Sequence, residues 1–145
     1  MKLLTFLAAR FAWRPHARTL PGEAEAPPSG EAAEAVVAFV HAEGRDFEEA
    51  ARERTLRHAT KHVQWLAGKR GAREVVLHSF THLGGAPADP AMAEAWMGDL
   101  RAKLERKGFR VQTTPFGWTC AWTLEVHGES IAKVWKEIGA GEGEA

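Results

Sequence analysis

The sequence predicts one α/β (α+β) domain, a mixed β-sheet packed with about three helices. Three observations carry this. The 145 residues are one domain's worth of chain. The 45% hydrophobic content is enough for a core, and 26% charged residues cover its surface. Short apolar, β-branched runs alternate with longer stretches of helical spacing that carry caps, in the order ββαβαββα. No internal repeat or shift of composition marks a second domain.

Leu3–Leu7 is a short apolar run that reads as a first buried strand. Residues 14–34 carry Pro15, Pro21, Pro27, Pro28, Gly22 and Gly30, which predict an irregular excursion. Ala35–Ala42 is β-branched and apolar, a second strand. Asp46, with Glu49 three residues on, forms a capping box and opens a helix to about Ala67. Glu74–Phe80 reads as the third strand. Asp89-Pro90 is an N-cap followed by proline at the first helical position, and Gly108 closes that helix. Its stripe is Ala93, Trp96, Met97, Leu100 and Leu104. Phe109–Thr113 and Thr119–His127 are strands, the second with Cys120, Trp122, Leu124 and Val126 on one face. Ser130 caps a last short helix carrying Ile131, Val134, Trp135 and Ile138. Residues 139–145 read as a flexible tail, which leaves 1–138 as the domain.

Charge and cysteine exclude several classes. Lys+Arg and Asp+Glu both number 19, so a globally basic nucleic-acid coat is excluded, though a local basic face is not. A single cysteine excludes a disulfide-stapled scaffold. No apolar run reaches the ~18 residues of a membrane span. The start resembles a signal peptide only faintly, with about 7 apolar residues and then Arg10 and Arg14. The expected location is cytoplasmic, with no membrane partner.

Five groups could carry chemistry. Arg52, Arg54, Arg57 and Lys61 crowd the helix opened by Asp46 and could track phosphates. His58 and His62 share a helix face at i, i+4, and His78 and His82 lie near the end of the third strand, but no carboxylate or cysteine sits among them, so surface histidines and no metal are expected. The segment His78-Ser79-Phe80-Thr81-His82-Leu83-Gly84-Gly85 ends a strand before a loop, a common place for binding. Thr114-Pro115-Phe116-Gly117-Trp118 brackets an aromatic between two strands, and Gly117 permits a positive φ or close approach. Cys120 shares its face with Trp122 and Leu124 and reads as a buried, inert thiol.

Taken together the third and fourth groups are more specific. Phe80-Thr81-His82-Leu83, a capped helix ending at Lys107-Gly108-Phe109, then Pro115-Phe116-Gly117-Trp118, a strand and His127-Gly128 resemble the N-terminal editing domain of archaeal-type threonyl-tRNA synthetase. The resemblance runs from about Glu74 to Ile138 and is collinear, though weaker, before that. It implies the fold of D-aminoacyl-tRNA deacylases, a homodimer, and hydrolysis of serine wrongly attached to threonine tRNA. It implies no cofactor. The terminal 2′-hydroxyl of the tRNA would assist water attack, and Phe80, His82, Pro115, Phe116 and Gly117 would line the pocket. With nothing left over for a synthetase catalytic domain, the resemblance further implies a free-standing, trans-acting deacylase. Its partners would be aminoacyl-tRNA and a threonyl-tRNA synthetase lacking its own editing domain; a binding module that kept the pocket and lost the chemistry is the alternative.

Three positions depart from the family pattern. Leu7-Ala8-Ala9 stands where the family has a polar stretch, Cys120 where it has a lysine, and Lys133 where it has a glutamate. The expectation drawn from these is that Lys133 reaches the pocket from the last helix. It would supply the missing cation as a catalytic group beside His82, with Cys120 as a small substrate-binding residue that leaves room for its stem.

Overall fold

The computed structural model describes residues 1–22, 25–48 and 50–139. The elements are β1 (Lys2–Arg18), β2 (Gly30–His41), α1 (Ala51–Gly68), β3 (Glu74–Ser79), α2 (Pro90–Arg106), β4 (Arg110–Thr113), β5 (Trp118–Val126) and β6 (Lys133–Glu137), with 3-10 turns at Gly44–Phe47 and Ser130–Ala132. The strands form one mixed sheet in the order β4-β3-β2-β1-β5, with β6 also on β1. The pairs β2·β3 and β3·β4 are parallel. β1 runs antiparallel to β2, β5 and β6.

The parallel pairs are joined through α1 and α2. Both helices pack on the same sheet face, as two crossovers of one hand require. Leu56, Val63 and Leu66 of α1 and Trp96, Leu100 and Leu104 of α2 share one buried cluster with Val36, Ala38, Val40, Val75 and Leu77. The Trp96 indole N–H donates to Thr55 Oγ1 at 3.0 Å, which satisfies its polar atom inside that core. The other sheet face carries a second cluster drawn from strands alone, with Phe11, Trp13, Val37, Phe39 and Val76 at its centre. The rings of Phe39 on β2 and Trp122 on β5 are 5.4 Å apart although β1 lies between their strands. Strands two apart in a flat sheet are separated by nearly 10 Å. The sheet therefore curls, and β5 folds over the aromatic face.

Four expectations are corrected here. The first strand does not stop at Leu7, and residues 14–34 are not one irregular stretch: β1 continues to Arg18 and β2 starts at Gly30. Pro15 is tolerated because β2 has already run out, its last pair with β1 being Trp13↔Gly30. The β1–β5 register also shifts between Pro15 and Ala17. Second, Asp46 does not cap a long helix. Its carboxylate accepts from the Met1 amine at 2.8 Å and from the Glu43 backbone N–H at 2.7 Å. A 3-10 turn forms there, Ala50 takes a left-handed φ of 68°, and α1 begins only at Ala51. Glu49 lies outside the described residues, as do residues 140–145 of the expected tail. Third, the segment after Ser130 makes a 3-10 turn and then β6, so there are two α-helices rather than three. Because β5 occupies β1 only from Ala8 onward, Lys2–Phe6 keep an open edge, which β6 covers. Last, His62 and His78 are buried, not surface histidines.

His62 sits beneath β1. Thr5 donates its hydroxyl to the Val134 carbonyl at 3.1 Å, so at 2.9 Å it accepts from His62 Nε2. Burial, and next the nearby Lys136 charge, hold the His62 pKa at about 4. Burial does the same for His78, also about 4. Both rings are neutral in the folded protein near pH 7, whereas in the unfolded chain they take up protons near 6.5. The unfolded state thus binds more protons between pH 6.5 and 4, and stability falls as pH falls through that window. Each histidine contributes up to about 3 kcal/mol of that loss. Glu43 acts lower. Burial raises its pKa, but hydrogen bonds from Lys2 and the Met1 amine outweigh this and hold it at about 2. Its share is therefore lost only below about pH 4.5. Urea titrations at pH 7.5, 6.0 and 4.8 should show a falling midpoint, and His62→Gln should flatten that dependence.

Candidate functional site

An open cavity of about 490 Å³ lies past the ends of β2 and β3. Its floor is Val40, Ala42, His78 and Ser79. One wall is the first turns of α2 with Pro90, Ala93 and Met97; the other is the segment from Pro115 to Cys120, with Trp122 beyond it. This is where parallel strands end and the following loops diverge, so a crevice there follows from the topology.

Two backbone features shape the crevice. Phe80 N–H donates to the Val40 carbonyl at 2.9 Å, which extends the β2–β3 pairing into the loop and holds the Phe80 ring at the rim. Gly117 has φ of 81°, and its carbonyl accepts from Thr19 N–H at 2.7 Å. A Cβ on Gly117 would stand 3.1 Å from Leu20 Cδ1, so both the turn and the contact select glycine.

The structure brings together Phe80, His82, Pro115, Phe116, Gly117 and Cys120, all on the lining of this one cavity. His82 is exposed at the mouth with its ring edge-on to Phe80, centroids 5.1 Å apart. Burial pushes the Cys120 thiol up from its ordinary value, so it is a packed thiol rather than a thiolate.

Lys133 is placed elsewhere, which corrects the expectation of a relocated cation. It starts β6 opposite Phe6, and its Nζ donates to the His127 carbonyl at 3.3 Å on an exposed surface. It does not line the cavity. The reason is the strand that replaced the expected helix: β6 is held against the far end of β1 and cannot turn a side chain toward Gly117.

Arg52, Arg54, Arg57 and Lys61 lie on α1, away from the cavity lining. Arg52 is engaged by Asp99 at 2.7 Å, while Lys61 is exposed. Lys69, the residue that follows α1, lies 5.1 Å over the exposed Trp65 ring, one turn beyond Trp65. Among the described residues no group of three His, Cys, Asp or Glu side chains is close enough to hold a metal ion. No helix among them is long and apolar enough to cross a membrane.

Sequence reasoning had His78 and Thr114 inside its candidate segments but gave neither a role, and it missed the α2 wall. His78 is 5% exposed, lines the cavity, and has Nδ1 2.8 Å from Thr114 Oγ1. The alternation Val76, His78 on β3 contained that signal, since it puts the imidazole on the aromatic face. The α2 wall has no local signature, because it arises from helix packing. One compositional fact is set by the whole lining: among the described residues it holds no Lys, Arg, Asp or Glu.

Comparison with known proteins bears directly on this cavity. The family model described as the archaea-specific editing domain of threonyl-tRNA synthetase matches residues 1–138. A threonine–tRNA ligase of Pyrobaculum calidifontis is 33% identical over 136 residues, 92% of this chain and 22% of that protein. One from Methanothrix thermoacetophila is 30% identical over 128 residues, 88% of this chain and 20% of that protein. The chain thus spans about a fifth of the length of these relatives. The solved structure of a c-Myc DNA Unwinding Element Binding Protein superposes with a TM-score of 0.63, covering 97% of this chain and 100% of that one at 15% identity, which speaks for the fold alone. With 1–138 matched to one family model and the motif residues gathered around one cavity, the chain belongs to the archaea-specific threonyl-tRNA synthetase editing-domain family.

Proposed function

We propose that this protein is a trans-acting editing deacylase, an ester hydrolase for mischarged aminoacyl-tRNA, with serine on threonine tRNA as its substrate. The observation that carries this is the meeting of residues 80–82 with residues 115–120 around one cavity, in a chain of an editing-domain family. The terminal aminoacyl-adenosine enters past His82 and Phe80. Backbone groups at Phe116 and Gly117 hold the amino acid, and the 2′-hydroxyl of the tRNA helps orient the attacking water. A threonyl-tRNA synthetase without editing capacity of its own is the partner that would supply the charged tRNA. One observation favours a second reading, a binding module without hydrolysis: among the described residues the lining has no charged side chain.

A single-turnover deacylation panel separates the two. Threonine tRNA charged with Ser, Thr, Ala or Gly, and tRNAs carrying D-amino acids, are mixed with excess protein. The expected result is loss of serine well above the buffer rate and slower loss of threonine. Protection or no change in every case would leave only the binding module.

In this reading the basic face of α1, with Arg52, Arg54, Arg57 and Lys61, meets the tRNA backbone. Exposed lysines that neutralise phosphates release counterions, so affinity falls with salt. Lys61→Glu should weaken tRNA binding for all sequences and reduce the salt slope by about one, as measured by filter binding from 50 to 200 mM salt. Arg52→Ala should do less, because Asp99 already engages that guanidinium.

We also propose that the aromatic sheet face is where two copies meet. No helix covers it. Trp135 pairs with Leu4 and stands 49% exposed on that face, beside Phe6, which packs on the same cluster. A monomer rarely leaves such a contiguous apolar patch to water. Light scattering should give a mass near twice 15.9 kDa. Trp135→Arg should shift it to the single-chain mass while leaving far-UV circular dichroism unchanged; a monomer for the unaltered protein at micromolar concentration overturns the pairing.

A further inference from the structure

The lining holds a buried polar side chain, His78, that the reading above does not use. His78 stands on β3 among Phe39, Phe11 and Phe80, with ring centroids 4.8, 6.3 and 6.1 Å away. Its Nδ1 is held by Thr114 Oγ1 at 2.8 Å. Thr114 is 4% exposed, does not line the cavity, and among the described residues its hydroxyl has no hydrogen-bond partner except His78. Were Nδ1 the donor, the hydroxyl hydrogen would be buried without an acceptor, at a cost of about 1–3 kcal/mol. The hydroxyl therefore donates to Nδ1. That places the imidazole hydrogen on Nε2.

The Nε2–H has no partner among the described residues, yet it is not among the atoms sealed from solvent. His78 lines the cavity, which makes the cavity the opening available to that nitrogen. Burial keeps the ring neutral near pH 7, with its pKa at about 4. A neutral imidazole fixed by packing on three aromatic rings is a rigid donor, and rigid donors aimed where charge develops stabilise a transition state most effectively.

We propose that the Nε2–H of His78 donates a hydrogen bond to the carbonyl oxygen of the bound aminoacyl ester and holds the charge that oxygen acquires when water attacks. This rests on the deacylase reading. The water oxygen bonds to the carbonyl carbon, and the carbonyl π pair moves onto the oxygen facing His78. Collapse restores the carbonyl and breaks the bond to the ribose oxygen, which takes up the proton the water gave. The products are the free amino acid and tRNA with its ribose hydroxyl restored. His78 keeps its own proton throughout. This is a role for a neutral donor in a lining that offers no cationic side chain.

Two measurements test it together. The first follows the imidazole nitrogens of His78 by 15N NMR while adding an amide analogue of seryl-adenosine, in which nitrogen replaces the ester oxygen and blocks hydrolysis. Before addition Nε2 should carry the hydrogen and Nδ1 should not; a hydrogen on Nδ1 overturns the proposal. On addition the Nε2–H signal should move downfield, and an analogue that fails to move it overturns the proposal. The second is single-turnover deacylation. His78→Phe, an apolar ring among aromatic neighbours, should slow it about 10²–10³-fold with little change in KM, the loss expected for one oxyanion donor. His78→Gln, which returns an N–H near the Nε2 position, should recover part of the rate, and a rate equal to that of His78→Phe counts against donation. Thr114→Val, which frees both tautomers, should slow the reaction less than His78→Phe does. The two failures are distinguishable. A shifted Nε2–H with no hydrolysis by the unaltered protein sinks the deacylase reading alone; hydrolysis without the shift sinks the assignment of His78.

Discussion

β1 has two edges and three partner strands, and the rest of the molecule is arranged around that fact. β2 takes one edge from Lys2 to Trp13. On the other edge β6 covers Lys2–Phe6, and β5 takes over from Ala8. Just past that change the β1–β5 register shifts between Ala8 and Arg10, where an extra residue bends the strand and increases its twist. Beyond it Phe11 and Trp13 continue on the face of Ala8, and β5 swings over the sheet until Trp122 reaches Phe39. Gly30 is part of the same bend, since a Cβ there would stand 2.3 Å from the Trp13 ring that lies across it. Without this curl the loop before β5 would point away from β3, and Gly117 and Cys120 would not share a cavity with Phe80 and His82.

A cavity built this way has a particular electrostatic character. Its floor is strand ends and its walls are apolar side chains, so no charged group reaches it among the described residues. Bringing a lysine or a carboxylate into such a place carries a large desolvation cost unless a partner comes with it. The polar work is therefore left to backbone groups and to neutral side chains such as His78 and Thr114. Neutral donors are weaker than cations in water, but in a site with little water they lose less to screening. In the proposed reaction the ribose 2′-hydroxyl would be a further neutral polar group, one that costs less to desolvate than a charged side chain.

How much of this was legible in the sequence depended on whether a signal was local. α2 was readable at both ends: Asp89 does accept from Met92 N–H, and Gly108 does take a positive φ of 96°. The lining residues Phe80, His82, Pro115, Phe116, Gly117 and Cys120 were readable because the motif order was compared as a whole, although no single segment was specific. The last segment was not. Val134, Trp135 and Ile138 fit a short helix and a short strand about equally well, and the open edge of β1 decided between them. Lys133 was misplaced for that reason alone. The start of α1 failed differently. Asp46 carries a good cap signature, but its carboxylate is claimed by the Met1 amine and the Glu43 N–H, partners of which one lies 45 residues away. His78 was in view yet unmarked, since its tautomer is fixed by Thr114, 36 residues on.

Trp122 shows that the cavity and the aromatic face are not independent surfaces. It lines the cavity, and on the same ring it packs against Phe39 and Phe11. Anything that shifts the aromatic face at β5 must therefore shift one cavity wall. Trp135 is different: it sits on β6, paired with Leu4, and takes no part in the lining. Between the two strands runs the turn at Ser130–Ala132, whose Ala132 is wholly buried and anchors the chain on the helix side. A change at Trp135 is thus separated from Gly117 by an anchored turn and the full length of β5. Substitution there would report on the proposed contact between copies, whereas substitution at Trp122 would mix that contact with the shape of the cavity wall. The same reasoning explains why His78 can be both rigid and available. Its aromatic neighbours belong to the curled face, its free nitrogen faces the cavity, and β3 is the strand on which those two surfaces meet.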